Sequence, residues 1–169
     1  MILQDAGNAG LPKGLEEAIY TFILTAAYRI GYERDQQCNF LLHPSAKTVD
    51  HNLIRDKVKR FVLDTQSALE TPALLGKIQS AYDDLKASKP QFPPLIELIQ
   101  EARRTAFHAT VMNSSPGNLS RALPTSGANI FIGGNVLSRG IVVPRVNSKY
   151  VWRFKKKRIY RESLIRNSL

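Results

Sequence analysis

The sequence predicts an α/β fold with a short, mostly parallel sheet flanked by helices. Short apolar runs recur along the chain and are separated by longer segments with apolar residues at helical spacing. This alternation is typical of parallel strands that are covered by helices. Hydrophobic residues make up 43% of the 169 residues and charged residues 22%. That composition excludes a wholly disordered chain.

Four helices are predicted from the spacing of apolar residues. The first covers 15–31 and ends at a glycine, and the second carries apolar residues across 49–69. Thr71 followed by Pro72 predicts the start of the third helix, with Thr71 as the capping residue and Pro72 at the first helical position. A short apolar segment after three prolines predicts a fourth helix that ends near residue 105.

Short apolar segments predict the strands, and a loop rich in Ser, Pro and Gly is expected at 114–126. The predicted strands are 39–43, 107–113, 128–132, 141–143 and 150–152. The domain organisation expected from these elements is a linker at 1–11, one lobe at 12–154 with a helical insertion at 72–105, and a basic tail at 155–169.

Positive charge is concentrated in the last third of the chain. Lys and Arg number 24 against 14 Asp and Glu, for a net charge of +10. Residues 1–101 hold 11 basic and 13 acidic side chains, whereas residues 102–169 hold 13 basic side chains and one acidic. This asymmetry favours a polyanionic partner, either nucleic acid or nucleotide phosphates. The alternative is a basic surface whose acidic complement lies on another domain or subunit.

A glycine pair follows the third predicted strand. Gly133 and Gly134 would let the backbone approach a ligand closely at the strand end, where parallel sheets bind ligands. Asn135, Ser138 and Arg139 could then hydrogen-bond phosphate and ribose oxygens, with Arg139 able to bind a phosphate in a bidentate manner. The segment contains neither the G-x-x-x-x-G-K-[ST] nor the G-x-G-x-x-G pattern, so a glycine turn with a surface arginine is an alternative.

Residues 133–140, read as Gly-Gly-Asn-x-Leu-Ser-Arg-Gly, resemble the signature of the bacterial Z1 (Z-one) domain family. This family carries an endonuclease label and is found near DNA restriction and modification genes. Residues 11–19 resemble its Leu-Pro-x-x-Leu-x-x-Ala-Ile helix start, and 111–114 its Val-Asn-Ser strand end. His43 and Ser45 match its strand that ends in His-x-Ser, which makes both possible functional residues.

The resemblance implies a fold and a role for this segment. Members of the family resemble superfamily II helicases, in which the string occupies motif V of the second RecA-like lobe. The resemblance therefore implies a RecA-like C-terminal lobe whose motif V loop contacts nucleotide or DNA phosphates. The residues of that loop are Gly133, Gly134, Asn135, Ser138, Arg139 and Gly140.

The sequence departs from the family pattern in ways that bear on cofactors. A RecA-like ATPase needs a phosphate loop and an acidic Mg²⁺ site, and the sequence has neither motif. The family's motif VI is also absent, and 141–146 read Ile-Val-Val-Pro-Arg-Val in place of Leu-Thr-Leu-Glu-Gly-Leu. The resemblance thus implies ATP and Mg²⁺ only together with a missing N-terminal lobe, and no cofactor for this chain alone. A truncated or split reading frame is the corresponding expectation.

The C-terminal tail interleaves aromatic and basic residues. Such a pattern binds single-stranded nucleic acid by stacking and phosphate neutralisation. The alternative is a final strand followed by a frayed basic end. The candidate nucleic-acid-binding residues are Trp152, Arg153, Lys155, Lys156, Lys157 and Arg158.

The remaining candidate sites are weak. Cys38 is the single cysteine, so an internal disulfide is excluded, and it has no evident His-Asn partner for nucleophilic catalysis. Asp83 and Asp84 lie on a helical pattern as ordinary surface charge, so a nuclease metal site is not expected and no metal is predicted. With no apolar run of membrane length and no signal peptide, a cytoplasmic protein without membrane contact is expected.

Three functions remain open at this point. The favoured one is the C-terminal lobe of a helicase-like, DNA-dependent ATPase in restriction or phage defence, partnered by DNA and by an ATPase lobe encoded separately. The alternative is a non-catalytic basic DNA-binding module or inactive remnant. A small-molecule enzyme with a nucleotide pocket at the Gly-Gly loop is the third, although no acid–base pair is evident for it.

Overall fold

The computed structural model describes residues 10–43, 48–112, 126–134, 146–151 and 160–162. Four helices and five strands lie in these ranges. The helices are α1 (Lys13–Gly31), α2 (Thr48–Ala68), α3 (Pro72–Ser88) and α4 (Leu95–Arg104). The strands are β1 (Gln37–His43), β2 (Phe107–Met112), β3 (Gly127–Gly133), β4 (Val146–Val151) and β5 (Tyr160–Glu162).

The strands form one five-stranded sheet in the order β2-β3-β1-β4-β5. Strands β2, β3, β1 and β4 run parallel, and only β5 is antiparallel to its neighbour. The register places Phe131 of β3 beside Leu41 of β1 and beside Thr110 of β2. The α/β class and the mostly parallel sheet are therefore confirmed. The predicted domain boundaries and the helical insertion stay predictions.

Two strand assignments differ from expectation at the far edge of the sheet. Strand β4 begins at Val146, four residues before the predicted strand, because the polar residues 147–149 hide its start in the sequence. Residues 160–162 belong to the segment expected to be a tail, yet they pair antiparallel with β4 as β5. The predicted strand at 141–143 lies outside the described residues.

The main hydrophobic core lies between the helices and one face of the sheet. It contains buried residues of all four helices together with alternate residues of β1 and β3, such as Phe40 and Ile130. At its centre, the fully buried Phe22 of α1 contacts Phe40 at 5.2 Å and Phe107 at 6.0 Å between ring centroids. The α1 periodicity predicted this face correctly, because its apolar residues recur every three or four positions.

The other face of the sheet holds a different set of residues. Leu41, Met112 and Phe131 are buried there but do not belong to the core cluster beneath the helices. The described helices therefore pack on one face of the sheet only. None of these helices combines the length and apolar character that a membrane span requires.

Two side chains near helix ends form hydrogen bonds that the sequence did not predict. Thr71 precedes α3 as expected, but its hydroxyl donates to the Ala68 carbonyl at 2.8 Å and does not cap the helix. Gln66 of α2 donates its side-chain amide to the Ala102 and Thr105 carbonyls, at 2.9 and 3.0 Å. Because these carbonyls belong to the end of α4, Gln66 fixes that helix against α2 just before β2 begins.

An ionic and aromatic cluster fixes the turn between α1 and β1. Arg29 binds Asp35 at 2.6 Å and Glu33 at 3.2 Å, and Lys89 from the end of α3 pairs with Glu33. The Lys89 ammonium also lies 4.4 Å from the centre of the Tyr28 ring. The cluster therefore joins α3 to the segment that leads into the central strand.

Candidate functional site

The middle strand β3 enters the sheet through a glycine with a left-handed backbone. Gly127 has φ +79°, and its N–H donates to the Gln36 carbonyl at 2.9 Å. A Cβ at Gly127 would lie 2.8 Å from the Ala106 carbonyl oxygen, which is closer than real structures allow. Glycine is therefore required where β3 inserts between β1 and β2. Sequence reasoning missed this residue, although Ser126-Gly127 before an apolar run is a turn signal.

The carboxyl ends of the four parallel strands form a row. Met112, the last residue of β2, pairs with Gly133 of β3. His43, the last residue of β1, pairs with Val151 of β4 and follows Leu42, whose partner Ile132 precedes Gly133. His43 and Gly133 are thus neighbours at the edge of the sheet where parallel α/β folds bind ligands.

The residues at this edge differ in how far they are exposed to solvent. Gly133 and Gly134 are buried, whereas His43 is half-buried and takes part in a polar, electrostatic or ring contact. Because Gly133 has no side chain, its position in the row between Met112 and His43 leaves the peptide groups there without an obstructing Cβ. The edge thus places a strand end without a side chain beside one half-buried imidazole.

The other predicted site residues lie outside the described residues. The structure brings together His43, Gly133 and Gly134, which the sequence had placed in two separate motifs. The predicted residues that it does not describe are Ser45, Asn135, Ser138, Arg139, Gly140, Trp152, Arg153, Lys155, Lys156, Lys157 and Arg158.

A buried amide pair joins β1 to β3 on the same face as His43. Asn39 and Asn129 are each 1% exposed and are directly paired in register. Asn129 Nδ2 donates to Asn39 Oδ1 at 2.9 Å, while Asn129 Oδ1 has no hydrogen-bond partner within the described structure. Sequence reasoning did not single out this pair. Its signal is one amide residue within each of two otherwise apolar strands.

The other reactive side chains do not assemble a second site in the described ranges. Burial raises the pKa of the Cys38 thiol to about 12, so at neutral pH it is a protonated core residue. His51 is buried on α2, and His108 is exposed near the amino end of β2. Within those ranges, no three His, Cys, Asp or Glu side chains are grouped so as to hold a metal ion.

Comparison with protein families gives a match to the Z1 domain over residues 14–164. This match spans most of the chain, from the first turn of α1 to beyond β5. The chain belongs to the Z1 domain family. No curated protein and no solved structure shows significant similarity to it. The Z1 match includes both strands that end at the candidate site, as well as the whole 133–140 string.

Proposed function

We propose that this Z1 chain is the C-terminal, RecA-like lobe of a helicase-like, DNA-dependent ATPase that acts in the cytoplasm in restriction or phage defence. The observation that supports this best is the register that makes His43 and Gly133 neighbours at the carboxyl edge of a parallel sheet. RecA-like and other open α/β folds bind nucleotides at this edge.

In this proposal the buried glycine backbone forms the base of a phosphate-binding loop. The peptide groups of Gly133 and Gly134 approach the phosphate, and Asn135 shapes the loop after them. Ser138 and Arg139 donate hydrogen bonds to phosphate oxygens, with Arg139 supplying the bidentate, charge-assisted pair. Gly140 permits the turn that follows.

His43 would mark the β1 side of the same site. It ends the strand beside Gly133, and its half-buried imidazole can donate to or accept from a polar ligand at this edge. Ser45 would add a hydroxyl just beyond the strand. Neither residue needs to perform acid–base chemistry in this role, because a second RecA-like lobe contributes to phosphoryl transfer only through positioning and charge stabilisation.

The basic last third of the chain would contact the DNA backbone. Residues 102–169 carry 13 basic side chains against one acidic, which suits a polyanion. The tail residues Trp152, Arg153, 155–157 and Arg158 would combine stacking with phosphate neutralisation. ATP and Mg²⁺ would bind only when an N-terminal ATPase lobe completes the cleft.

A second candidate is a basic DNA-binding module without any NTP involvement. It is favoured by the absence of the G-x-x-x-x-G-K-[ST] pattern from these 169 residues. The two candidates differ in one measurable respect. A lobe of an ATPase should gain ATP hydrolysis when mixed with the lobe that carries the phosphate loop, whereas a module without NTP involvement should not.

Fluorescence anisotropy of labelled single- and double-stranded DNA tests the shared part of both proposals. The purified chain should bind DNA with an affinity that falls steeply between about 50 and 200 mM salt, since phosphate contacts release counterions. Arg139→Gln should weaken binding severalfold at low salt. The matched control is Arg60→Gln, which removes an equal charge from an exposed position of α2, outside the basic last third of the chain.

Two results would contradict the assignment. If the folded chain bound neither single-stranded nor double-stranded DNA at low salt, its basic last third would not be a nucleic-acid-binding surface. Equal losses of affinity in Arg139→Gln and Arg60→Gln would show that binding depends on overall charge alone and would remove the specific role of the loop.

A further inference from the structure

An open groove lies between α1, α2 and α3. Its volume is about 330 Å³, within the range of small-molecule pockets. The Tyr20 and Phe61 rings, whose centroids are 5.4 Å apart, form an aromatic floor beside Leu74. Thr65 of α2 also lines the groove, and its neighbour Gln66 hydrogen-bonds to carbonyls just before β2. The groove therefore lies toward the amino edge of the sheet, away from the candidate site.

Two buried hydroxyl groups line the groove without a hydrogen-bond partner. Tyr20 and Thr65 are each 4% exposed, and neither hydroxyl forms a hydrogen bond within the described part of the chain. Burial, and secondarily the Glu16 carboxylate, raise the pKa of Tyr20, so its phenol stays protonated and can donate a hydrogen bond. Because buried polar groups are normally paired, these two hydroxyls indicate a polar ligand in the groove.

The amino end of α3 adds a free backbone donor to the same groove. Thr71, Ala73 and Leu74 all line it. Pro72 has no N–H, and no side chain caps the helix. The Leu74 and Leu75 amides both donate to the Thr71 carbonyl, at 3.1 and 3.0 Å. The Ala73 N–H is therefore left without an acceptor among the described residues, at a helix end whose dipole favours a negative charge.

Two charged side chains of opposite sign complete the lining. Asp64 of α2 and Lys77 of α3 are exposed, and neither forms an ion pair with another side chain in the ranges that the structure describes. Lys77 lies about 9 Å beyond Thr71 along α3, and long helical side chains lean toward the amino end. The Lys77 ammonium and the Ala73 N–H can therefore bind one carboxylate. Asp64 would repel a simple anion and attract a cation.

We propose that the groove between α1, α2 and α3 binds a free apolar α-amino acid as its zwitterion. The Ala73 N–H and the Lys77 ammonium bind the carboxylate, and Asp64 binds the ammonium group. The Tyr20 and Thr65 hydroxyls hydrogen-bond the same polar end, while the apolar side chain covers the aromatic floor. A zwitterion complements both unpaired charges of the groove, which neither an anion nor a cation does. The proposal does not depend on the proposed function, because the groove is remote from the carboxyl edge of the sheet.

NMR titration of the full chain with L-phenylalanine tests this binding. We expect the backbone amide signals of Ala73 and Lys77 to shift saturably, with a dissociation constant of about 1 mM, as suits so small a ligand. Hydrocinnamate lacks the ammonium group of phenylalanine, and phenethylamine lacks its carboxylate. Each of these analogues should bind at least about tenfold more weakly, because one charge of the groove stays unpaired. Glycine should bind more weakly as well, since it cannot cover the aromatic floor.

Variants of the lining test each contact separately. Lys77→Gln and Asp64→Asn should each weaken phenylalanine binding by about fivefold or more. In Lys77→Gln the affinities for phenylalanine and phenethylamine should lie within about twofold, because the carboxylate has lost its charged partner. Tyr20→Phe keeps the ring and should weaken binding severalfold. The matched control is Lys59→Gln, which removes an exposed charge of α2 outside the groove and should leave the affinity unchanged.

Three results would overturn the proposal. The absence of a saturable shift up to about 20 mM phenylalanine would show that the groove has no affinity of the expected size. Equal affinities for phenylalanine and hydrocinnamate would show that Asp64 takes no part in binding. Tighter binding of the uncharged N-acetyl-L-phenylalanine amide would assign the groove to an apolar side chain of a protein partner.

Discussion

Asn129 donates a 2.9 Å hydrogen bond to Asn39 across the middle of the sheet, between two residues that are each 1% exposed and directly paired in register. A shift of either strand by one residue would turn one amide to the opposite face and leave the other without this partner. The pair therefore fixes the same alignment of β1 and β3 that makes His43 and Gly133 neighbours at the candidate site.

Replacing one member of the Asn39–Asn129 pair should be costly. Asn129→Leu or Asn39→Leu should each lower the free energy of unfolding by about 1–3 kcal/mol, because a buried amide loses its partner. The double variant should lose less than the sum of the two, by roughly 0.5–3 kcal/mol of coupling. Urea unfolding measures both quantities. Asn52→Leu on the exposed side of α2 is the control and should change stability by less than about 0.5 kcal/mol. Strict additivity would show that the pair does not act as a unit.

Two glycines should respond in opposite ways to alanine. Gly127→Ala places a Cβ 2.8 Å from the Ala106 carbonyl at φ +79°, so we expect a loss of about 2 kcal/mol or more in stability. Gly76 lies within α3 with no atom within 4 Å of such a Cβ. Gly76→Ala should therefore raise stability by about 0.5–1 kcal/mol. Thermal unfolding of both variants gives the comparison, and a neutral Gly127→Ala would contradict the described start of β3.

The cluster around Glu33 should make stability depend on pH in the acid range. Burial alone would raise the pKa of Glu33, but the hydrogen bond from Lys89 and the charges of Arg29 and Lys89 outweigh it and lower the pKa below its usual 4.5. A lowered pKa in the folded state means that the ionised form contributes stability above about pH 4.5, and that this contribution is lost as pH falls through the folded-state value.

Glu33→Gln tests this directly. It should cost about 0.5–1 kcal/mol at pH 7, a modest value because the side chains are partly exposed. The difference from the unsubstituted chain should vanish in strong acid. Glu17→Gln, in an exposed pair with Lys13, should show almost no difference at any pH. If the difference in unfolding free energy between Glu33→Gln and the unsubstituted chain persisted in strong acid, the effect of the substitution would come from packing and not from charge.

Cys38 should resist thiol reagents while the chain is folded. Burial raises its pKa from an ordinary value of 9.0 to about 12, so native labelling should be at least about a thousandfold slower than labelling in urea. Reaction with a chromogenic disulfide at constant pH measures both rates. Native labelling at the unfolded rate would show that β1 opens readily, contrary to its central place in the sheet.

Much of the fold could be predicted from local patterns. The α1 face follows from apolar residues at helical spacing, and β1 and β3 follow from short apolar runs between turn signals. Strand β5 and the start of β4 could not be predicted in this way, because residues 146–149 and 160–162 have little apolar pattern and are defined by pairing with a neighbour.

The sequence predicts the individual residues of the candidate site, but it does not predict that they are neighbours. Gly133 and His43 each stood out at the end of an apolar run, so their positions at strand ends could be expected. Their adjacency depends on the strand order β2-β3-β1-β4, which results from tertiary packing. The Asn39–Asn129 bond is invisible for the same reason, since the two residues are 90 positions apart.

Hydrogen exchange measured by mass spectrometry, with and without a single-stranded oligonucleotide of about 15 nucleotides, tests the central claim most directly. The claim is that the carboxyl edge of the sheet, at His43 and Gly133, binds a polyanion. The account predicts slower exchange on DNA addition in peptides that contain His43 and in peptides that span 133–140. Binding by anisotropy with protection confined to α3 and α4, and none at these strand ends, would contradict it.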